Sequence, residues 1–461
     1  MDGLEISEIT LAETLLNKDF RIDSAFFTAK IVRNKEVKYV PIGECLVNSQ
    51  YGVSIDMNED GEGYPIYRMN EIHNMLCDLN VGKYANLTRD QFLKFKLNDR
   101  DVLFNRTNSY ELVGRTGVYY DNGKDMTFAS YLVRFIPDES ILLPEYLASF
   151  LSSKYGIIDI KRRARQSINQ TNVNPEEVKE IKIPLLVRDI QKKIQDMFVL
   201  AHKSRLDADS LFMQAEKILM KELGIQDFTP STKGVSVKTL SESFIYNGRL
   251  DAEYYQPKYD DFRKILNTKD TVLSLCNLHD KNFNPAKDEK YQYIELSNVG
   301  MGGNIYDVEV ISGDNLPSRA RRQVKTGQVI VSSIEGSLQS CALVTEEYNN
   351  ALCSTGFYVI DSNVISPETL LVLFKSEPIQ ALLKQGCSGT ILTAITKEEF
   401  LNLPLPLIHS KAQKQISDKV QEYFVLCRQS EQLLENAKRA VEIAIEKGQD
   451  KTISWLNEVN I

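Results

Sequence analysis

Short runs rich in β-branched and aromatic residues recur along the chain, each closed by Gly, Asn, Asp or Pro: DVLFN, GVYYD, YLVRFIP, QVIVSS and GFYVID. Runs of this length bounded by turn formers predict strands. Two stretches have helical spacing instead, LPEYLASFLSSKYGIIDIKRR (143–163) and SPETLLVLFKSEPIQALLKQ (366–385). Each opens with Pro near its first turn and Glu beside it, a helix-start signature. From Arg188 to Leu223 the pattern changes, with no Gly or Pro at all. There Ile190, Ile194, Met197, Ala201, Ala208, Leu211, Ala215 and Ile218 follow steps of three and four, interrupted by a polar gap at Ser204. That is a narrow coiled-coil-like stripe. A second stripe comprises Ile416, Val420, Tyr423, Cys427, Leu434, Ala437, Val441 and Ala444. A helix of this length is a rod of roughly 50 Å. One narrow apolar stripe on such a rod needs a partner, and the other rod is the obvious one.

The whole pattern is written twice, with a period of about 225 residues. LAETLLNKDFRIDSAFF (11–27) faces LSESFIYNGRLDAEYY (240–255), which sets Leu11, Glu13, Arg21, Asp23 and Ala25 opposite Leu240, Glu242, Arg249, Asp251 and Glu253. PIYRMNEI (65–72) then matches QYIELSNV (292–299), and DVLFNRTNS (101–109) matches QVIVSSIEG (328–336). LPEYLASFLSS and SPETLLVLFKS pair next. NVNPEEVKEIKIPLL (172–186) and AITKEEFLNLPLPLI (394–408) come after them, and then the rods beginning RDIQKKI and SKAQKQI. Order and spacing persist where side-chain identity does not.

The expected fold class is therefore α+β. Two similar mixed α/β domains are separated by two long helices paired as an antiparallel coiled coil, with a pseudo-twofold internal duplication. The expected blocks are a first domain at 1–187, a first spacer helix at 188–227, a linker at 228–234, a second domain at 235–408, a second spacer helix at 409–447 and a tail at 448–461. The linker reading rests on Pro and Gly among small polar residues in FTPSTKGVSV. The tail, which carries the only tryptophan, Trp455, has no counterpart in the first half and reads as a cap on the rods or a partner contact.

Composition narrows the function. The net charge of −8 divides equally between residues 1–230 and the remainder, which argues against non-specific coating of nucleic acid. Any nucleic-acid surface must be local. Seven scattered cysteines without a CxxC pair read as reduced thiols. The four histidines show no zinc spacing. No run reaches the roughly 20 apolar residues that span a bilayer. The acidic start MDGLEISEIT lacks the regions of a signal peptide, so the expected location is cytoplasmic.

Catalytic motifs are missing. There is no GxxxxGK[ST] phosphate loop and no GxGxxG after a strand. GMGGN (300–304) reads as a turn. No NPPY-type segment for holding an extruded base occurs, and GCSGT (386–390) fails the GxSxG spacing. Glu176–Glu177 and Glu398–Glu399 stand at helix starts, where they complement the helix dipole.

Three features suit contact with DNA. The first is FNRTNSYELVGRTG (104–117), with Asn105, Arg106, Thr107, Asn108 and Ser109, and its counterpart VSSIEGSLQSCALVT (331–345), with Ser332, Ser333, Glu335 and Ser337. Short hydrogen-bonding side chains and Arg are the types that contact phosphates and base edges; Arg106 suits a guanine, and Asn105 or Asn108 an adenine. A hairpin whose polar side chains satisfy its own backbone is the other reading. The second is KRRARQSINQTN (161–172), which sets Lys161, Arg162, Arg163 and Arg165 beside Gln166, Asn169 and Gln170, against a solvated helix end as the bland alternative. Its counterpart KQGCSGTILTA, containing Thr390, is much less basic. The third, SRARRQVK (318–325), supplies Arg319, Arg321, Arg322 and Lys325 to the second half.

At these residues the chain resembles the specificity subunit of type I restriction–modification systems. The phrases that carry the resemblance are DVLFNRTNS, IKIPLL followed by a rod, GQVIVSSIEGSL, STGFYVI, ISPETLL, SGTILTAITKEEF and LPLPLI, in that order and over essentially the full length. The resemblance implies that each α+β domain is a target-recognition domain for one half of a bipartite double-stranded DNA sequence. The rods would space the domains and dock DNA methyltransferase subunits, and a restriction and translocase subunit would join that complex. This chain would supply no chemistry and bind no cofactor; S-adenosylmethionine, ATP and Mg would bind the partner subunits, and no membrane is involved. A stand-alone modification enzyme with an unrecognised site and a scaffold that reads no DNA remain the rival classes.

Overall fold

The buried run VLFN at 102–105 lies inside a six-stranded sheet whose order is Leu46–Tyr51, Leu132–Pro137, Val102–Asn105, Thr116–Val118, Leu76–Cys77 and Ile72–His73. All four of its side chains are buried, so the run is continuous rather than alternating. Leu132–Pro137 pairs antiparallel with both Leu46–Tyr51 and Val102–Asn105, and Thr116–Val118 pairs antiparallel on the other side. The molecule is a computed structural model that describes residues 8–15, 21–29, 31–168, 170–245, 248–389 and 393–459. Its chain forms two units, residues 1–206 with 428–461 and residues 207–427.

In the second unit a four-stranded sheet has the order Asn277–Leu278, Phe357–Asp361, Val329–Ser332 and Cys341–Leu343. These strands also pair antiparallel throughout. Order and direction repeat the first four strands of the other unit; Leu76–Cys77 and Ile72–His73 are additions peculiar to it. Each unit also holds a second, four-stranded sheet containing one parallel pair, Tyr64–Tyr67 with Thr127–Phe128 in the first and Lys290–Ile294 with Leu352–Ser354 in the second.

The helix pairs follow the same plan. Pro144–Ser152 and Lys154–Lys161 belong to the first unit, Pro367–Lys375 and Glu377–Gly386 to the second. Ser153 ends the first of these helices and caps the next, accepting from Gly156 N–H at 3.2 Å. A Cβ at position 156 would stand 2.1 Å from the Phe150 carbonyl oxygen, so the sharp break between the two helices requires glycine there.

The long helices are Arg188–Glu222 and Ser410–Lys447. Residues 188–206 and 428–447 share the core of the first unit, where Ile190, Ile194, Met197 and Ala201 are buried with Leu434, Ala437, Val441 and Ala444. Residues 207–222 and 410–427 share that of the second, where Ala208, Leu211 and Ala215 are buried with Ile416, Val420 and Tyr423. The cores thus cut across the expected borders at 187/188 and 408/409, because each rod's stripe is buried in two different cores. The first helix stops at Glu222, short of the expected 227. Gly224 adopts φ 68°, and Ile225 N–H turns back to the Met220 carbonyl at 2.9 Å, a glycine-dependent helix end. The tail forms the helix Gln449–Glu458, which buries Thr452 and Leu456 against the first core.

A side-chain amide, buried in the first unit and half-buried in the second, fastens each long helix to its unit. Gln191 Oε1 accepts from Leu143 N–H (2.9 Å), while Nε2 donates to the carbonyls of Leu186 (3.0 Å) and Ile141 (3.2 Å). Gln413 repeats the arrangement with Ser366 N–H (2.7 Å) and the carbonyls of Ile408 (2.9 Å) and Val364 (3.0 Å). Both are the fourth residue of their rod phrases, RDIQ and SKAQ. One primary amide has both the acceptor and the two donors such a three-point clasp needs.

Candidate nucleic-acid interface

Two of the three nominated features meet in each unit. In the first, Thr107–Asn108 continues from the central strand and pairs with Thr171–Asn172, which pairs in turn with Arg165–Gln166. In the second, Cys387–Ser388 pairs with Ala394–Ile395, and Ile334 bridges to Ala394. The loop after the central strand therefore lies beside the hairpin after the second helix in both. Gln166 and Gln170 are exposed on the first hairpin. Asn169 and Thr390 lie outside the described residues.

Strand alternation sorts the first nominated loop. Asn105 and Thr107 point inward and are fully buried, whereas Arg106 between them points out. Asn105 Oδ1 accepts from Thr107 N–H (3.3 Å), and Thr107 Oγ1 donates to Asn172 Oδ1 (2.6 Å). These two are framework residues and not contacts for DNA. Asn108 is half-buried and accepts from Ser109 N–H (2.8 Å); Ser109 is exposed. In the second unit Ser332 and Ser333 are likewise buried. Ser332 Oγ accepts from Ile334 N–H (3.1 Å) and lies 3.0 Å from Ser337 Oγ, while Ser333 Oγ donates to the Gly356 carbonyl (2.9 Å). Both hold the turn, and Glu335 and Ser337 remain half-buried at its edge.

The basic cluster proves to be largely internal. Arg163 is 5% exposed, ion-paired to Asp159 and donating to the Glu177 carbonyl at 3.0 Å. Arg162 Nε lies 2.5 Å from Asp159, with its guanidinium over the Phe26 ring. Arg165 is exposed and 3.3 Å from Glu177. Lys161 donates to the carbonyls of Glu111 (3.1 Å) and Val113 (3.0 Å), and burial lowers its pKa to about 8. Charges neutralised by neighbouring carboxylates release few counterions from DNA, so Arg163 and Arg162 are corrected from contacts to packing residues.

In the second unit Arg319 and Arg322 are also engaged. Arg319 lies 3.1 Å from Glu295, and Arg322 donates to Asn282 Oδ1 (2.7 Å) and to the Asp280 carbonyl. Arg321 is half-buried, with Nε donating to the Ser318 carbonyl (3.1 Å). This strand, Ala320–Gln323, belongs to the sheet with the parallel pair and not to the loop and hairpin.

Arg106 differs from the other candidate cations of its unit. Its Nε donates to the Ser130 carbonyl (3.0 Å) and its guanidinium lies over Tyr51, 5.2 Å from the ring centroid. The exposed Tyr51 and Tyr131 flanking it were not singled out from the sequence, where nothing places residues 51, 106 and 131 together. Among the described residues no group of His, Cys, Asp and Glu is arranged to hold a metal ion, and no helix is long and apolar enough to cross a membrane.

Residues 34–199 match the type I restriction modification DNA specificity domain. A Methanocaldococcus jannaschii protein named for the specificity subunit of type I restriction enzyme MjaX is 24% identical over 406 residues, covering 85% of this chain and 88% of that one. The EcoKI specificity subunit of Escherichia coli K12 is 25% identical over 162 residues, 34% of this chain and 35% of its own. A solved S subunit of a type I restriction-modification system from M. genitalium aligns over 91% of this chain and 97% of that one at 12% identity, with a TM-score of 0.33, too low to bear on the fold. Residues 34–199 thus match the type I restriction modification DNA specificity domain, and over most of its length the chain is similar to a type I restriction enzyme specificity subunit.

Proposed function

We propose that this chain is the sequence-reading subunit of a type I restriction–modification complex, with each unit addressing one half of a bipartite double-stranded DNA target. The single observation that carries this reading is the repeated frame with unlike side chains. In both units a loop after the central strand meets a hairpin after the second helix, yet the outward residue is Arg106 in one and the loop carries Ser333 and Glu335 in the other. Equal frames with different polar surfaces suit two different half-sites.

The long helices would pair as an antiparallel coiled coil that relates the units by a pseudo-twofold, sets the half-site spacing and docks methyltransferase subunits. Exposed Val199, Leu200 and Leu206 on the first helix suit such docking. Adenine methylation with S-adenosylmethionine, and cleavage with ATP and Mg, would be the work of the methyltransferase and of the restriction and translocase subunits.

A map of methylated adenines in the host genome tests the proposal and is expected to show one bipartite motif. Inserting seven residues in each long helix adds about 10 Å, or about three base pairs. The gap between the half-sites should widen while both half-sites keep their identity. Changed half-sites would refute the spacer role. Absence of any bipartite motif would favour a scaffold, and methylation by the purified chain alone would favour an enzyme.

A further inference from the structure

We propose that position 106 is a specificity determinant and that the Arg106 guanidinium reads a guanine in the first unit's half-site. This rests on the DNA-reading function above and assigns one of its contacts. The backbone of Arg106 is held from both sides, its N–H donating to the Tyr131 carbonyl (3.0 Å) and its carbonyl accepting from Val173 N–H (2.9 Å). Ser333 in the second unit is held the same way, by the Gly356 carbonyl and by Ile395 N–H, each at 2.9 Å. The two residues also align in the repeat, DVLFNRTNS against QVIVSSIEG. The frame thus offers one fixed position with two different occupants. Ser333 folds its hydroxyl back onto the Gly356 carbonyl, whereas the longer Arg106 spends only Nε on the Ser130 carbonyl.

What Arg106 leaves over is specific. Its two terminal nitrogens have no partner among the described residues, while Nε and the Tyr51 ring fix the plane in which they lie. Two parallel N–H groups in a fixed plane match the O6 and N7 acceptors on the major-groove edge of guanine. A phosphate is also served by an unrestrained cation and does not need that plane. The neighbouring cations Arg162, Arg163 and Arg165 are paired with Asp159 or Glu177 and are poor competitors for the role.

The test is selection of bound duplexes from a randomised library by the full-length chain, for wild type, Arg106→Ser and Arg106→Lys. Wild type is expected to enrich a bipartite sequence with an invariant G·C pair in one half. Arg106→Ser should make that pair degenerate and weaken binding of the wild-type target about 10- to 100-fold. The other half's preference, unchanged, reports that the variant is folded. Arg106→Lys should weaken the guanine preference without abolishing it, while keeping the salt dependence of binding. The assignment is overturned if Arg106→Ser weakens all sequences alike with a shallower salt slope, which marks a phosphate contact, or if it leaves the selected sequence intact. A wild-type chain that enriches no sequence overturns the DNA-reading function itself.

Discussion

Removing the Gln191 clasp should loosen the first unit more than removing its twin loosens the second. In Gln191→Ala the Leu143 N–H and the Leu186 carbonyl lose their partner at buried positions, and stranding each costs about 1–3 kcal/mol. The Ile141 carbonyl belongs to an exposed residue and can be rehydrated, so its loss is about 1 kcal/mol. The sum is about 3–7 kcal/mol. Gln413 is only half-buried and one of its partners, Val364, is exposed, so Gln413→Ala should cost about half as much. Gln191→Glu keeps the acceptor, loses both donors and turns a carboxylate toward two carbonyls, so it should be at least as damaging as alanine. A chain of two units has no single well-defined midpoint. Native-state hydrogen exchange resolved by peptide is therefore the assay, read over residues 141–152 and 187–194. At 1.4 kcal/mol per factor of ten, exchange there should accelerate by about two orders of magnitude or more. Peptides within two-fold of wild type, or a larger effect from Gln413→Ala, would refute the reasoning.

Two further outcomes follow from charges the cores enclose. Lys375 is buried with its ammonium donating to the Gln339 carbonyl (2.8 Å), and burial lowers its pKa from 10.5 to about 8 against the opposing pull of Cys341 and Glu216. Between those values the unfolded chain holds a proton that the folded one lacks, so the second unit should lose stability as pH falls from 10.5 to 8 and hold level below. Lys375→Met should flatten that slope in denaturation measured across the window; parallel slopes for variant and wild type would sink the idea. Arg163→Ala should cost the first unit about 3 kcal/mol or somewhat more by stranding Asp159, although Arg162 softens the loss. Hydrogen exchange resolved by peptide over residues 154–181 reads this, and unchanged exchange there combined with a shallower salt slope of DNA binding would instead make Arg163 a surface contact.

The sequence displays what depends on apolar periodicity. The central strands, the helix pairs and the rod stripes are legible because burial selects the same residue types at every turn or every strand position. It conceals which polar residues face inward. Asn105 and Arg106 look equally suited to DNA in the string FNRTNS, and only the alternation of an extended strand separates them. Arg163 was legible in principle: Asp159 stands four residues before it, the spacing of an intrahelical ion pair. Gln191 and Gln413 occupy matching places in the repeat, yet a glutamine on a charged helix carries no mark of burial. The borders between units escaped because a stripe shows that a helix is covered and not by what.

Synthesis order gives the divided first unit a consequence. The stripe Ile190, Ile194, Met197 and Ala201 is made early, but Leu434, Ala437, Val441, Ala444 and Leu456, which close over the same core, are made after the entire second unit. Until those residues are made, the apolar face of the first long helix lacks its cover in the first core. A message broken anywhere before codon 428 would yield a first unit whose core lacks all of these residues, so its stability is set by the last part of the chain to be made.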